Sequence, residues 1–217
     1  PRFMRPKLIQ AMADCSKVMN YLHLPVQSGS DSMLARMKRT YDRSFYLQSI
    51  ERLREKMPDI TLATDFIVGF PGETDAEFED SLTLVEEVGF DHGYVFQYSP
   101  RPGTVSADHL QDDIDLEIKK ERNHALLEAL GKSGKSRNER FLGRNVEVIA
   151  EGTSKSDDTR WAGRARDHRT VIWPANDDEK PGSFVVVEVD RTSAATLYGK
   201  RVEGPSEVPI LPPELRS

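Results

Sequence analysis

Three apolar, strand-like runs, Tyr21 to Val26, Ile60 to Val68 and Gly93 to Tyr98, alternate with helix-period stretches over roughly the first 105 residues. This alternation constrains the fold more than any other feature. A strand followed by a helix and a second strand returns the chain to the end where it began, so successive strands run parallel and the helices cover the sheet. Between the first two runs Tyr46, Ile50, Leu53 and Met57 recur at helical spacing, and Pro58 stops that helix. A second helix is predicted from Thr74: Thr74 and Glu77 have capping-box spacing, Phe78, Leu82, Val85 and Val88 form one apolar stripe, and Gly89 stands where a C-cap glycine belongs. These stripes are read as core.

The pattern changes after residue 105. From Asp113 a long charged helix carrying Ile118, Leu126, Leu127 and Leu130 runs toward Gly131 and Gly134, and the basic stretch Lys132 to Arg137 reads as its frayed end or a linker. Beyond residue 143 come short β-rich runs, Val146 to Ala150, Arg169 to Trp173, Phe184 to Val189 and Ala195 to Tyr198, whose spacing suggests a small antiparallel barrel. The expected fold class is α/β, with a partial (β/α) barrel over residues 1–137, a small β-barrel over 138–203 and an irregular, proline-rich tail over 204–217.

Charge is divided unevenly between these parts. Residues 1–131 hold 15 Lys and Arg against 22 Asp and Glu, whereas residues 132–217 hold 15 against 14, so the second part is the better candidate for contacting phosphate. No run approaches the roughly 20 apolar residues of a membrane span, and the first residues lack a signal-peptide core, so a cytoplasmic address is expected and no membrane partner. Cys15 is the only cysteine, which excludes an internal disulfide and leaves one thiolate, too few to hold zinc or an iron-sulfur cluster. His23, His92, His109 and His124 show no metal spacing and no nucleophile pairing, and no catalytic or metal-ligating residue is assigned.

Residues 23–31 read His-Leu-Pro-Val-Gln-Ser-Gly-Ser-Asp, residues 65–74 read Asp-Phe-Ile-Val-Gly-Phe-Pro-Gly-Glu-Thr, and residues 98–104 read Tyr-Ser-Pro-Arg-Pro-Gly-Thr. Each lies at the C-terminal end of a predicted parallel strand, where α/β barrels place their ligand sites. Glycines at 29, 69 and 72 either let backbone approach a ligand closely or simply shape tight turns. Taken in order, the three motifs resemble the methylthiotransferase family of radical-SAM enzymes. The last of them, with Glu151 to Lys155 and Gly163 to Arg166 downstream, looks more like the tRNA isopentenyladenosine branch than its relatives.

The resemblance carries several expectations. It implies a tRNA-modifying transferase that methylthiolates C2 of N6-isopentenyladenosine beside the anticodon. S-adenosylmethionine and two 4Fe-4S clusters serve such a protein when intact, and a 5′-deoxyadenosyl radical abstracts the hydrogen. Gln27, Ser28, Arg39, Asp65 and Gly69 are the implied SAM-side residues, with Gln27 and Asp65 toward the ribose hydroxyls and Arg39 toward the carboxylate. Their chemistry suits the role: Asp65 is the one charge in an apolar run, and an unpaired buried carboxylate is costly. The Arg39 fork can hold a carboxylate bidentately, or merely complement the end of a helix. Family members carry their cluster cysteines in an N-terminal region that this chain lacks, so that region is an expected partner and the fragment alone is expected to be inactive. Residues 138–203 resemble the TRAM domain, which implies that Lys155, Arg164, Arg166 and Arg169 contact the anticodon stem-loop of tRNA. Trp161 and Trp173 are candidates for stacking on bases or for the barrel core. Two other readings remain open: a non-catalytic RNA-binding module, and a methylthiotransferase for threonylcarbamoyladenosine or a ribosomal-protein aspartate.

Overall fold

The computed structural model of the chain describes residues 1–176 and 179–210. In chain order the first part comprises α1 (Pro6–Asp14), β1 (Tyr21–His23), α2 (Asp31–Arg36), α3 (Arg43–Lys56), β2 (Thr61–Val68), α4 (Asp75–Val88), β3 (His92–Gln97), α5 (Val105–His109) and α6 (Leu116–Glu139). The strands form one parallel sheet in the order β1-β2-β3. Alternation sorts the faces of β2. Leu62, Phe66 and Val68 are buried with Tyr46, Leu53, Leu84, Val85, Phe90 and Leu126 of the helical layer, while Asp65 and Ile67 are only partly covered on the other face. β1 is shorter than the predicted run because Pro25 has no N–H to donate. Pairing resumes two residues later at a single parallel bridge between Gln27 and Phe66.

The helix ends follow the local chemistry. Thr74 and Glu77 form the reciprocal capping box, and Gly89 closes α4 at φ 62°. The long helix differs from expectation. Lys132 to Arg137 is neither frayed nor a linker; α6 continues through it to Glu139. Tertiary contacts override the weak helix propensity of Ser133, Gly134 and Ser136 there. Ser133 Oγ donates to Phe90 O at 2.6 Å, and Gly134 lies so close to Asp91 O and Ala194 O that a Cβ would stand 2.7 and 2.6 Å from them.

The second part is a closed barrel of β4 (Asn145–Ser154), β5 (Asp157–Ala165), β6 (Thr170–Pro174), β7 (Phe184–Thr192) and β8 (Thr196–Val202), ordered β4-β5-β6-β8-β7. It is not wholly antiparallel: β6 and β8 run parallel, with Thr170, Val171 and Ile172 opposite Thr196, Leu197 and Tyr198. Topology demands this, because a ring with an odd number of strands closes only with at least one parallel pair. Trp173 is fully buried in the core and donates from Nε1 to both Glu179 oxygens at 2.9 Å, so of the two tryptophans this one is core. Residues 205–210, expected to be irregular, partly follow β4: Val208 bridges Val146 and Glu147 N donates to Val208 O. The rest of the expected tail, 211–217, lies outside the described residues. No helix among the described residues is long and apolar enough to cross a membrane.

Sheet and barrel meet through buried charge. Asp91, between α4 and β3, is fully buried; its Oδ2 accepts from Leu62 N at 2.9 Å and its Oδ1 meets Arg169 and Arg137. Arg169, fully buried, also meets Asp167, Thr61 Oγ1 (3.0 Å) and Asn138 Oδ1 (2.6 Å). One guanidinium thus ties the barrel to β2, to the approach to β3 and to α6.

Candidate functional site

The C-terminal ends of the three strands open onto a cleft of about 890 Å³ that Gln27, Arg39 and Asp65 all line, with Ile67, Phe70, Phe96 and Tyr98. Gln27 sits at φ 77°, a left-handed conformation that costs a non-glycine residue on the order of 1 kcal/mol. Two backbone bonds to β2 hold it there, Gln27 N to Asp65 O at 2.8 Å and Ile67 N to Gln27 O at 2.9 Å. Asp65 is one-fifth exposed. Its Oδ1 is 2.8 Å from His23 Nε2, and Tyr94 lies beside that imidazole at 6.1 Å between ring centroids. Oδ2 has no hydrogen-bond partner among the described residues, leaving one carboxylate oxygen for a ligand. Arg39 falls three residues beyond α2, in an exposed turn set by Lys38 at φ 56° and by Arg39 N donating to Leu34 O at 2.8 Å. Lys38, Arg39 and Arg101 have no carboxylate within ion-pair distance among the described residues, so the rim of the cleft is cationic.

Two expected SAM-side residues are placed elsewhere. Ser28 is buried under α4, its Oγ accepting from Ser30 N at 3.2 Å and lying 3.5 Å from Ser81 Oγ; it shapes the turn and does not line the cleft. Gly69, at φ 67°, carries the methylene chain of Lys119 where a Cβ would stand, 2.3 Å from Lys119 Cγ. Its small size makes room for α6, and no ligand atom is needed to explain it. Lys119 is nearly buried, donates to both Asp112 oxygens at 2.5 and 2.7 Å and sits 5.5 Å from the Tyr98 ring. Glu73 closes the same loop from below, accepting from Gly69 N at 2.6 Å and Arg122 Nη1 at 2.9 Å. Burial pushes the Glu73 carboxyl above the usual carboxylate range despite these bonds.

Glu77 behaves in the opposite way. Burial alone would raise its carboxyl, but hydrogen bonds from Ser32, the Thr74 backbone, Arg36 and the Thr74 hydroxyl outweigh that and hold it at about 2. A carboxylate with a lowered folded-state pKa adds stability above its unfolded pKa, and that stability is lost as pH falls through the folded value. Stability should therefore decline between about pH 4.5 and pH 2, and Glu77→Gln should flatten that part of the profile. Urea midpoints at pH 7 and pH 3 check this; an equal drop in both proteins would remove Glu77 from the account.

The four expected RNA contacts divide. Lys155 is exposed in the β4–β5 turn without an ion-pair partner among the described residues, and Arg164 is 40% exposed, bonded to Glu151 and to His168 O. Arg166 is occupied: its guanidinium meets the Ser16, Val18 and Ile210 carbonyls, with Val18 O at 3.0 Å. Arg169 has no exposed surface at all. These two arginines bind the protein to itself, because the β5–β6 turn docks against the N-terminal ends of β1 and β2. His23, assigned no role in the sequence reading, is the partner of a cleft residue that this reading missed: only the register of β1 on β2 brings it to Asp65.

Among the described residues no group of three or more His, Cys, Asp or Glu side chains could hold a metal ion, and Cys15 is an exposed free thiol. The strand-end cleft over a parallel sheet agrees with comparison to known proteins. Residues 1–85 match the family model for the Radical SAM superfamily. The fold resembles coproporphyrinogen III oxidase from Escherichia coli, described as a radical SAM enzyme, with a TM-score of 0.53 at 16% identity over 88% of this chain and 44% of that one. The chain is 40% identical over 203 residues to the tRNA-2-methylthio-N(6)-dimethylallyladenosine synthase of Clostridium perfringens, and 42% identical over 205 residues to that of Thermus thermophilus. Each alignment takes in 94% of this chain but only 45% and 43% of the relative, so the chain spans somewhat less than half the length of the curated proteins it matches.

Proposed function

We propose that this chain is the SAM-side and RNA-side portion of a cytoplasmic radical-SAM tRNA methylthiotransferase acting at C2 of N6-isopentenyladenosine next to the anticodon. The observation that carries the reading is the identity of 40–42% across some 94% of the chain, with Gln27, Arg39 and Asp65 brought to one cleft. Those residues suit S-adenosylmethionine: Asp65 Oδ2 would accept from a ribose hydroxyl, Gln27 would bond the same sugar, and Arg39 would take the carboxylate. When bound, this cofactor supplies the radical chemistry, and the chain's own contribution is to orient it and to hold the base. An iron-sulfur cluster does not fit the residues present, since Cys15 is the only thiol. Cluster ligands would come from a further part of a longer protein. The β4–β8 barrel serves in this reading as a TRAM-type module for the anticodon stem-loop, with Lys155 and Arg164 as its remaining expected phosphate contacts.

Asp65→Asn and Gln27→Ala should each weaken SAM binding several-fold, since one lost hydrogen bond to a ligand costs about 1 kcal/mol and more where a charge takes part. Equilibrium dialysis with labelled SAM, on the protein rejoined to its cluster-bearing part, checks this, and the cluster spectrum should be unchanged in both variants. Wild-type SAM affinity in both would refute the assignment.

A further inference from the structure

His23 and Asp65 stand together on the face of the sheet opposite the helical core. β1 pairs with β2 in the register that sets His23 opposite Ala63, and β2 pairs with β3 in the register that sets Asp65 opposite Tyr94. His23 is therefore the diagonal neighbour of Asp65 on one side, and Tyr94 its direct neighbour on the other. Leu24 N donates to Ala63 O at 2.8 Å, which fixes the backbone beyond His23. The imidazole Nε2 lies 2.8 Å from Asp65 Oδ1, and because a carboxylate only accepts, Nε2 is the donor. Stability does not explain the pair: the two side chains are 37% and 21% exposed, and contacts so open to water contribute little to folding. Geometry does. The outer torsion of an aspartate is broad and roughly two-fold, so a carboxylate without a partner samples many orientations. One bond to Oδ1 selects among them and leaves Oδ2 as the oxygen open to a ligand.

We propose that His23 is a positioning residue of the cofactor site: by donating its Nε2–H to Oδ1, it turns the Asp65 carboxylate so that Oδ2 meets the ribose hydroxyls of S-adenosylmethionine. The inference rests on the function proposed above and adds to it a residue that touches no ligand and acts through another. Asp65 lines the cleft, whereas His23 stands behind it. Tyr94, tilted 51° to the imidazole at 6.1 Å between centroids, limits the swing of that ring. An acceptor held in place before the ligand arrives spares binding the cost of ordering it.

The test is SAM affinity by equilibrium dialysis, on the protein rejoined to its cluster-bearing part, with urea unfolding run alongside. His23→Ala should weaken SAM binding roughly three- to tenfold, the range that one hydrogen bond supplies, while its urea midpoint stays close to wild type because the side chain is substantially exposed. His23→Gln should restore most of the affinity, since its Nε2 stands as many bonds from Cβ as the imidazole Nε2 does. His23→Asn, one bond shorter, should not. When His23→Ala is combined with Asp65→Asn the losses should not add, because one residue works through the other. Wild-type affinity in His23→Ala beside a weakened Asp65→Asn would overturn this inference and leave the cofactor assignment standing. Additive losses, or a His23→Gln protein as weak as His23→Ala, would overturn it in the same way. Unchanged affinity in Asp65→Asn would sink the cofactor assignment of Asp65 and this inference together.

Discussion

Arg169→Ala should destabilise the protein by about 3–5 kcal/mol, because removing one partner of a buried charge network leaves the others uncompensated. Asp91 and Asp167 would lose their shared guanidinium, and Thr61 Oγ1 and Asn138 Oδ1 would lose a donor. Arg137 still reaches Asp91 Oδ1 at 3.2 Å, so the loss falls short of stranding Asp91 altogether. For a chain of 217 residues the effect corresponds to a fall in Tm of about 10 °C. Arg169→Lys should fall between, since a single ammonium lacks the fork that reaches four partners at once. Thermal and urea unfolding check both variants. A loss under about 1 kcal/mol for Arg169→Ala would mean that water or Arg140 replaces the guanidinium, and that the barrel is fastened by something else.

Gly29→Ala should cost about 3 kcal/mol, and it should weaken any ligand held by Gln27. A Cβ at Gly29 would stand 2.1 Å from Asp80 O and 2.6 Å from Ser81 Cα, and both are backbone atoms of α4 that no rotamer change can move aside. Relief requires the loop and helix to part, which would break Gly29 N to Ser81 Oγ (2.9 Å) and strain the Arg43 bonds to Asp80 O (2.6 Å) and Gly29 O (3.4 Å). Overpacking a well-filled core usually costs about 1–3 kcal/mol, and a backbone collision belongs at the upper end. Gly131→Ala gives the opposite sign: it lies inside α6 with open space where the Cβ would go, so the better helix former should stabilise by up to about 1 kcal/mol. The two urea midpoints should therefore move in opposite directions. A Gly29→Ala protein as stable as wild type would show that the loop has slack.

Much of the α/β part was legible in the sequence because its signals are local. The Thr74 and Glu77 spacing, the Gly89 stop and the apolar alternation of β2 each act within a few residues, and each is found where it was read. Gln27, Arg39 and Asp65, named as SAM-side residues through a family resemblance, all line one cleft. The failures share a cause. Whether Arg169 faces solvent or Asp91 depends on a contact across 78 residues, and nothing near Arg169 in the sequence reports it. The same holds for Gly69, whose smallness answers to Lys119, and for Ser28, which answers to Ser81. A basic residue in a turn reads as a surface charge until the partner surface is known. The parallel β6–β8 pair was hidden differently, because individual strands carry no mark of their direction and only the closure of the ring fixes it.

α6 touches both the strand-end cleft and the barrel. Near its first turns Lys119 and Arg122 brace the loop beneath the cleft, and at its far end Arg137 and Asn138 hold Asp91, Arg169 and the β7–β8 turn. Its 24 residues span roughly 36 Å at 1.5 Å per residue. A straight helix of that length is a ruler. The distance between the strand-end cleft and the barrel is then set by the number of residues in one helix, so that adding or deleting a turn of α6 would change it.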